Sequence, residues 1–333
     1  MAEPRLIHIG SAVVDFIYRI DRLPAPGDDL TASSFAALPG GGFNMMVAAK
    51  RSGMRTAYAG KIGDGPFGTM IADALAAEGI ERLQPISRGI DSGTCVVFVT
   101  EGDGERSFVS RPGAEGVITA DDFRYMMPAP GDWVFTTGYT LAYRGSRENQ
   151  TRFIEMLPDH ATFAFDPTGI VSEIPFDLLH RVLARTDWLS LNRSEAAAIV
   201  EQADEAELVQ RLFTRHCQRA KGIVLRAGAA GALLALAGKE PVFVPAFRVA
   251  AIDTNGAGDA HVGAFIAALS RGLGPLEALR YANAAAAIST TRHGGPTAPD
   301  TQEINEFLKC AREENSACSG NKGNNGTRRE EWS

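Results

Sequence analysis

The segment Asp253-Thr-Asn-Gly-Ala-Gly-Asp259 places small residues and a carboxylate directly before the helix-like run AHVGAFIAALSRG. The backbone N–H groups of Gly256, Ala257 and Gly258 can converge at the start of this helix, where the helix dipole also favours negative charge. The segment therefore predicts an anion site. Asp259 could cap the helix, but a carboxylate beside developing phosphate charge also suits a general base that takes a proton from an attacking hydroxyl.

A second glycine-rich segment, GGGFNMMVAAKRSG at 40–53, lies well before the first, and Gly63 follows it in AYAGKIGDGPFG. Together these segments resemble the two signatures of the ribokinase (PfkB) family of carbohydrate kinases, over about residues 5–309. The resemblance implies transfer of the ATP γ-phosphate to a sugar hydroxyl in the presence of Mg²⁺. Asp259 would be the general base, and the N–H groups of Gly256, Ala257 and Gly258 would stabilise the transferring phosphoryl group.

The resemblance also implies a set of sugar-binding residues, namely Asp15, Gly41, Gly42 and Asn44. Asp15 interrupts the apolar run VVDFI, and a carboxylate there is costly unless it lies at a strand end with a partner. We therefore favour a site role over simple turn chemistry. Asn44 could alternatively cap the following helix, predicted over 45–52.

The nucleotide side is implied by three further matches. Asn192-Arg-Ser-Glu195 resembles an N-x-x-E element that orients Mg²⁺ and phosphates, with Glu195 acting through water. Gly228-Ala-Ala-Gly231 matches a loop beneath the nucleotide, where glycine permits close backbone approach, and Asn283 matches a helix position near the adenine. Arg226 departs from the small hydroxyl residue that is common at its position. It could contact a phosphate or form a surface ion pair, and the sequence does not decide between them.

A monovalent-cation site, for K⁺, is implied by the same resemblance. Its side-chain ligand would be Asp253, and its carbonyl ligands would come from Asn255, Ser289, Arg292 and Gly294. His261 stands where many relatives carry Phe. It could contact the substrate or be a satisfied structural group.

Other functions are also consistent with parts of the sequence. Gly63-Asp-Gly-Pro-Phe-Gly68 is a G-x-G-x-x-G string, as in dinucleotide-binding oxidoreductases, but Glu78 and Glu81 fall in or just after the next helix and not at the end of a following strand. A nucleoside kinase of the same superfamily would share the kinase motifs, with Phe98 and Phe108 stacking on a base or packing within the flap. A catalytically silent sugar-binding protein on a kinase scaffold is a further alternative.

Strand-like and helix-like segments alternate along the chain and must position these residues. This order predicts an α/β protein with a mostly parallel central sheet and helices on both faces. The family resemblance implies that this is a Rossmann-like three-layer fold of the ribokinase type. Leu30–Leu38 and Thr94–Arg111 read instead as extended runs with a hairpin signal. We expect one domain over 1–312, with a β lid built from about 16–39 and 92–113. In the resembled family such lids often pair between subunits, which predicts a homodimer.

Composition excludes several classes of protein. The net charge of -7, from 33 Lys and Arg against 40 Asp and Glu, provides no basic footprint for nucleic acid. The apolar runs are too short for a transmembrane helix, and no signal peptide is apparent, so we expect a cytoplasmic protein with no membrane partner. Residues 313–333 have almost nothing to bury and are predicted to be disordered.

Overall fold

The computed structural model describes residues 3–102 and 104–320. Within these ranges the strands are β1 (Arg5–His8), β2 (Ala12–Ile20), β3 (Ser34–Gly41), β4 (Arg55–Tyr58), β5 (Glu81–Arg82), β6 (Thr94–Thr100), β7 (Arg106–Arg111), β8 (Trp133–Thr137), β9 (Thr162–Asp166), β10 (Trp188–Asn192), β11 (Gly222–Arg226), β12 (Gly231–Leu236) and β13 (Val242–Pro245). The α-helices are α1 (Gly42–Arg51), α2 (Pro66–Ala77), α3 (Tyr139–Ala142), α4 (Arg147–Glu155), α5 (Phe176–Arg185), α6 (Arg193–Val200), α7 (Glu205–Arg215), α8 (Ala257–Ser270), α9 (Pro275–Thr290) and α10 (Thr301–Gly320).

The main sheet has the strand order β13-β12-β11-β10-β9-β8-β1-β4-β5. Every pairing from β11 to β5 is parallel, whereas β12 and β13 add as antiparallel strands. Parallel neighbours need a long crossover between them, and helices supply it here. The predicted mostly parallel α/β sheet is confirmed.

Helices cover both faces of this sheet. Leu6 and Ile7 are consecutive in β1, both fully buried, and point to opposite faces as strand geometry requires. Leu6 lies in the apolar layer formed with helices α1, α8, α9 and α10, while Ile7 lies in the layer formed with α4, α5, α6 and α7. The result is the predicted three-layer architecture.

A second sheet forms the lid, with the strand order β3-β2-β6-β7. Strand β2 pairs antiparallel with β3 and parallel with β6, and β6 pairs antiparallel with β7. The first lid strand begins at Ala12, earlier than the expected boundary near 16, and follows β1 after a short link. The lid is therefore joined directly to a central strand of the main sheet.

The order in which successive strands are added to the sheet reverses between β1 and β8, although the two strands are parallel. Strands β4 and β5 extend the sheet on one side of β1, and β8 to β11 extend it on the other. In open parallel sheets such a switch point leaves a crevice at the carboxyl ends of the strands, where ligands bind. The segments that follow β1, β8, β9, β10 and β11 meet at this edge.

Helix α10 continues to Gly320, so the segment predicted to be disordered, 313–333, begins inside a helix. The remainder of that segment, 321–333, lies outside the described residues. Among the helices that the structure describes, none is long and apolar enough to cross a membrane.

Candidate active site

Helix α8 presents its N-terminus to the crevice. Its cap is Gly256, whose φ of 73° lies in the left-handed region that glycine adopts without a Cβ penalty. Gly256 and Gly258 line the crevice, whereas the N–H of Ala257 donates to the carbonyl of Thr254 at 3.3 Å. The structure thus brings two of the three predicted anion-binding residues to the pocket and turns the third toward its own loop.

Asp259 lies in the first turn of α8 and faces the same crevice. Burial, followed by the negative charge of Asp166, raises the pKa of this carboxyl to about 7. Opposing effects come from the Arg226 guanidinium and a hydrogen bond from Asn44. A carboxylate that titrates near neutrality can take up a proton during a reaction at physiological pH, as a general base must.

Asp15 lies on β2, opposite Leu38 of β3 and Cys95 of β6. Burial raises its pKa to about 7. The neighbouring glycines leave room for it, because a Cβ on Gly40 would lie 1.9 Å from Oδ2 of Asp15. On the other side of the loop, a Cβ on Gly42 would lie 2.1 Å from Nε2 of His8. The glycine run at 40–42 is therefore fitted between two side chains.

Asn44 follows this loop in the first turn of α1 and lines the same pocket. Its side chain hydrogen bonds with Asp259, while its buried Oδ1 has no hydrogen-bond partner among the residues that the structure describes. Buried polar atoms are nearly always satisfied. The free carbonyl of Asn44 is thus suited to accept a hydrogen bond from a ligand hydroxyl.

These residues enclose a cavity of about 240 Å³, which we call the acceptor pocket. Its lining joins the lid, the carboxyl ends of the sheet and the start of α8: Ser11, Val13, Asp15, Gly41, Asn44, Cys95, Phe108, Ser110, Thr137, Tyr139, Tyr143, Asp166, Thr168, Arg226, Asn255, Gly256, Gly258 and Asp259. Gly42, also predicted to contact substrate, is outside this lining and instead packs on His8.

Arg226 ends β11 and reaches across the neighbouring strand ends. Its Nη1 donates to Oδ2 of Asp166 at 2.5 Å and to Oγ of Ser190 at 2.8 Å, and its Nη2 lies 3.4 Å from Oε2 of Glu195. Burial alone would lower the pKa of this guanidinium, but the two carboxylates outweigh that effect and raise it. Arg226 is therefore a permanently charged group within the crevice, and the surface ion pair considered from the sequence is wrong.

Asn192 and Glu195 form a reciprocal cap at the start of α6. The N–H of Glu195 donates to Oδ1 of Asn192 at 2.9 Å, and the N–H of Asn192 donates to Oε2 of Glu195 at 2.8 Å. Burial, followed by the charge of Asp166, raises the pKa of Glu195. Hydrated Mg²⁺ prefers oxygen partners, and these groups fit contact through water. Among the side chains that the structure describes, no group of three or more His, Cys, Asp or Glu forms a direct metal cluster.

The predicted nucleotide loop joins β11 to β12. Gly228 and Gly231 have φ values of 57° and 130°, and the space beside Gly228 is open. Asn283, predicted to lie near the adenine, is instead buried between elements: its Nδ2 donates to the carbonyls of Val244 and Pro245. Both amide hydrogens of Asn283 are thus directed to protein carbonyls.

His261 is the remaining partner of Asn283, since its Nε2 lies 3.0 Å from Oδ1 of that residue. Burial, followed by the charge of Arg226, lowers the pKa of His261 to about 4. The ring is therefore neutral at physiological pH and links α8 to α9. This geometry favours the structural role for His261 over contact with substrate.

The predicted monovalent-cation ligand Asp253 has other partners. Its Oδ2 accepts from Nη2 of Arg19 at 3.2 Å, and its Oδ1 accepts from Nη2 of Arg106 at 2.5 Å. The backbone N–H of Asn255 also donates to Oδ1, at 2.9 Å. Both carboxylate oxygens therefore face guanidinium groups, and Asp253 does not fit the cation site that the sequence resemblance implied.

The other predicted cation ligands lie near this carboxylate. The N–H of Asp253 donates to the carbonyl of Thr290, which ends α9, and Ser289 is fully buried beside it. Gly294 lines a second cavity together with Asp253 and Asn255. The Arg292 side chain turns away and pairs with Glu303.

Sequence reasoning missed several residues of the acceptor pocket, among them Asp166, Tyr139 and Tyr143. Asp166 ends β9 immediately before Pro167, a position that could equally begin an ordinary turn. Thr168 then adopts a φ of 56°, and its N–H donates to Oδ1 of Asp166 at 3.0 Å. Strained non-glycine backbone of this kind occurs preferentially at functional sites, but it is visible only in the structure.

The G-x-G-x-x-G string at 63–68 does not form a phosphate site. The carboxylate of Asp91 accepts from the N–H groups of Phe67 and Gly68, at 3.2 and 2.8 Å, at the start of α2. A Cβ on Gly68 would lie 1.9 Å from the carbonyl of Gly63, so close packing explains that glycine. A protein carboxylate thus occupies the position that a dinucleotide phosphate would need.

The model of the pfkB family carbohydrate kinases matches residues 3–302. The chain belongs to this family. Asp259 and the Gly256–Gly258 turn lie in the matched region, as do the glycine loop and Arg226. The alternative of a dinucleotide-dependent oxidoreductase is thereby excluded as the family of this chain.

Among curated relatives, this pfkB family kinase is similar to YegV of Escherichia coli (strain K12), named as an uncharacterized sugar kinase. The two are 32% identical over 299 residues, covering 89% of this chain and 91% of that protein.

Solved structures that are similar to this chain include Arabidopsis thaliana ribokinase with ribose and ATP. Its TM-score is 0.77 and its sequence identity is 25%, covering 92% of this chain and 99% of that one. A double-mutant fructokinase of Vibrio cholerae O395, with fructose, ADP and potassium, has a TM-score of 0.74, 25% identity and the same coverage.

We expect Gly40→Ala to raise the KM for the acceptor about tenfold or more, because the new methyl group would displace the Asp15 carboxylate. The KM for ATP should change little, since Asp15 lies on the lid side of the pocket. Gly102→Ala is the matched control, as no atom of the described residues other than its chain neighbours lies within 4 Å of its added Cβ. Equal acceptor KM values for the two variants would show that Asp15 does not position the acceptor.

Proposed function

We propose that this kinase transfers the γ-phosphate of ATP to a hydroxyl of a small, uncharged sugar. The observation that carries the proposal is the position of Asp259, a carboxylate with a pKa near 7, at the N-terminus of α8 within the acceptor pocket. The neighbouring Gly256 and Gly258 are suited to bind an anion there. Relatives that bind ribose with ATP, or fructose with ADP, have the same fold.

In the proposed reaction, Asp15 and the free Oδ1 of Asn44 accept hydrogen bonds from acceptor hydroxyls and fix the sugar. Asp259 takes the proton of the attacking hydroxyl, whose oxygen then bonds to the γ-phosphorus as the bond to the β-phosphate oxygen breaks. The helix N-terminus at Gly256 and Gly258 stabilises the phosphoryl charge in transit. The lid excludes water, which would otherwise compete as acceptor.

ATP would lie across the carboxyl ends of β10 and β11, over the open side of Gly228 and toward Arg226. Arg226 lines the pocket, but its guanidinium is paired with Asp166, so the phosphate charge would be compensated mainly by Mg²⁺ and the N-terminus of α8. Asn192 and Glu195 would hold hydrated Mg²⁺ through water, and Mg²⁺, when bound, neutralises phosphate charge. The carboxylate of Asp166 keeps the Arg226 guanidinium in place.

The charges of the pocket favour an acceptor without a phosphate or carboxylate group. Its lining contains Asp15, Asp166 and Asp259, and among its described residues Arg226 is the sole basic side chain. That guanidinium is already paired. An anionic acceptor would therefore meet carboxylates without a free counter-charge. The volume of about 240 Å³ is also small relative to most ligand pockets, which favours a monosaccharide over a nucleoside.

An acceptor screen with Mg-ATP tests this assignment. Neutral monosaccharides should be phosphorylated, whereas phosphosugars, sugar acids and nucleosides should not. Asp259→Asn should lower kcat by about 10²- to 10⁴-fold with ATP affinity retained, since the amide cannot accept the proton. Phosphorylation of nucleosides alone would contradict the sugar assignment. A protein that binds sugar without any turnover would be the catalytically silent scaffold.

The pH profile provides a second test. Asp259 must be unprotonated to act as base, so kcat/KM should fall about tenfold per pH unit as the pH drops below its pKa near 7. Asp15→Asn removes a nearby negative charge that raises this pKa. The acid limb should therefore persist in that variant and move to lower pH. Disappearance of the limb in Asp15→Asn would assign the titration to Asp15.

We also propose that the lid forms the homodimer implied by the sequence resemblance. Val109 and Phe108 on the edge strand β7 are 63% and 59% exposed, and an unpaired apolar edge favours association. Sedimentation velocity should show a dimer at micromolar concentration. Val109→Lys should yield monomers, whereas Leu276→Lys, on the distant helix α9, should not. A monomeric parent protein would overturn this proposal.

A further inference from the structure

Two arginines on the lid point at one carboxylate of the body. Arg19 of β2 and Arg106 of β7 are both registered against Val99 of the intervening strand β6. Directly paired residues project from the same face of a sheet, so the two side chains lie together on the inner face of the lid. Both reach Asp253, one to each carboxylate oxygen.

Asp253 belongs to the loop that leads into the anion-binding turn. Its Oδ1 also accepts from the N–H of Asn255, and Nη1 of Arg106 lies 3.4 Å from Oγ1 of Thr254. The lid thus contacts three consecutive residues of this loop directly or through Asp253. The contact is partly shielded from water, since the side chains of Arg106 and Asp253 are 18% and 11% exposed.

We propose that Arg19 and Arg106 supply, from the lid, the positive charge that holds the anion-binding loop in place, so that this kinase does not need a monovalent cation. This inference rests on the proposed function only in assigning that loop to phosphoryl transfer. The two guanidiniums bring one positive charge more than Asp253 neutralises. A potassium ion added at Asp253 would be repelled by both arginines and would compete with them for the same oxygens.

The cavity beside this contact also argues against a monovalent cation at Asp253. It measures about 310 Å³ and is lined mainly by lid side chains, including Ile17, Leu38 and Val97, with His293 and Gly294 of the predicted cation loop on the other side. Apolar walls of this kind offer few oxygen ligands to a cation, and they weaken the screening of the ion pairs.

The proposal also couples lid position to the state of the loop. A bound ion stays with the body of an enzyme whether its lid is open or closed, whereas Arg19 and Arg106 move with the lid. The loop is therefore held whenever the lid lies against the body, as it does in this structure. ATP that binds while the lid is open would meet a less ordered anion site and undergo little wasteful hydrolysis.

The test compares the parent protein with the double variant Arg19→Met, Arg106→Met in KCl and in choline chloride at equal ionic strength. Thermal unfolding and ATP binding by calorimetry are measured without acceptor, and turnover is measured separately. We expect the parent to show the same unfolding midpoint, ATP affinity and turnover in both salts. The double variant should unfold at lower temperature and lose turnover about tenfold or more, because the loop loses its partners.

Restoration by K⁺ is the sharper outcome for the double variant. With Asp253 freed, K⁺ but not choline should raise its unfolding midpoint and recover part of its turnover. Arg22→Met is the matched control, since Arg22 is a lid arginine that pairs with Asp28 and not with Asp253. If the double variant does not fold, Arg19→Lys and Arg106→Lys are measured singly and should retain the indifference to K⁺.

Specific, saturable stabilisation of the parent by K⁺ would overturn the proposal, as would a double variant that matches Arg22→Met in every measurement. Both results are independent of whether the acceptor has been identified, because unfolding and ATP binding require none. Absence of turnover with every sugar would instead count against the proposed function. The two proposals can therefore fail separately.

Discussion

The site depends on an imbalance of buried charge. Asp15, Asp166 and Asp259 converge on one pocket in which Arg226 is, among the described lining residues, the single guanidinium. Arg226 cannot compensate all three carboxylates, so burial raises the pKa of Asp15 and Asp259 toward neutrality. We expect the same imbalance to select what can enter the pocket. A triphosphate would fit this environment with its own cation, and an acceptor with hydroxyl groups would be favoured over a charged one.

The strand order of the main sheet brings these charged side chains together. Asp166 and Arg226 end strands that flank β10, and their side chains meet across it with the help of Ser190. The acceptor side comes from the lid, which leaves the main sheet immediately after β1. The carboxylate of Asp259, the neighbouring guanidinium of Arg226 and the carboxylate of Asp15 therefore come from three separate parts of the chain. Only the switch point between β1 and β8 brings them to one edge.

Features formed by adjacent residues could be predicted from the sequence, whereas contacts that depend on the register of paired strands could not. The turn before α8 is encoded by adjacent residues, so its position at a helix N-terminus could be predicted without a structure. The alternation of strands and helices likewise predicted the three-layer fold, and comparison with known proteins confirmed the family. In contrast, the pairing of Asp253 with Arg19 and Arg106 depends on three lid strands lying in one register. Nothing local marks Asp166 as different from any aspartate before a turn.

The glycine run at 40–42 has a consequence for how acceptor preference can diverge within such a scaffold. Gly40 is confined by Asp15 and Gly42 by His8, while Gly41 has a φ of 59° that side chains rarely adopt. This loop, of which Gly41 lines the pocket, is therefore closed to variation in side-chain size. Cys95, Phe108 and Ser110 line the pocket from lid strands, in extended backbone that any side chain can adopt. Natural drift or laboratory selection toward a new sugar would therefore change the lid residues first, while the glycine loop at 40–42 stays the same.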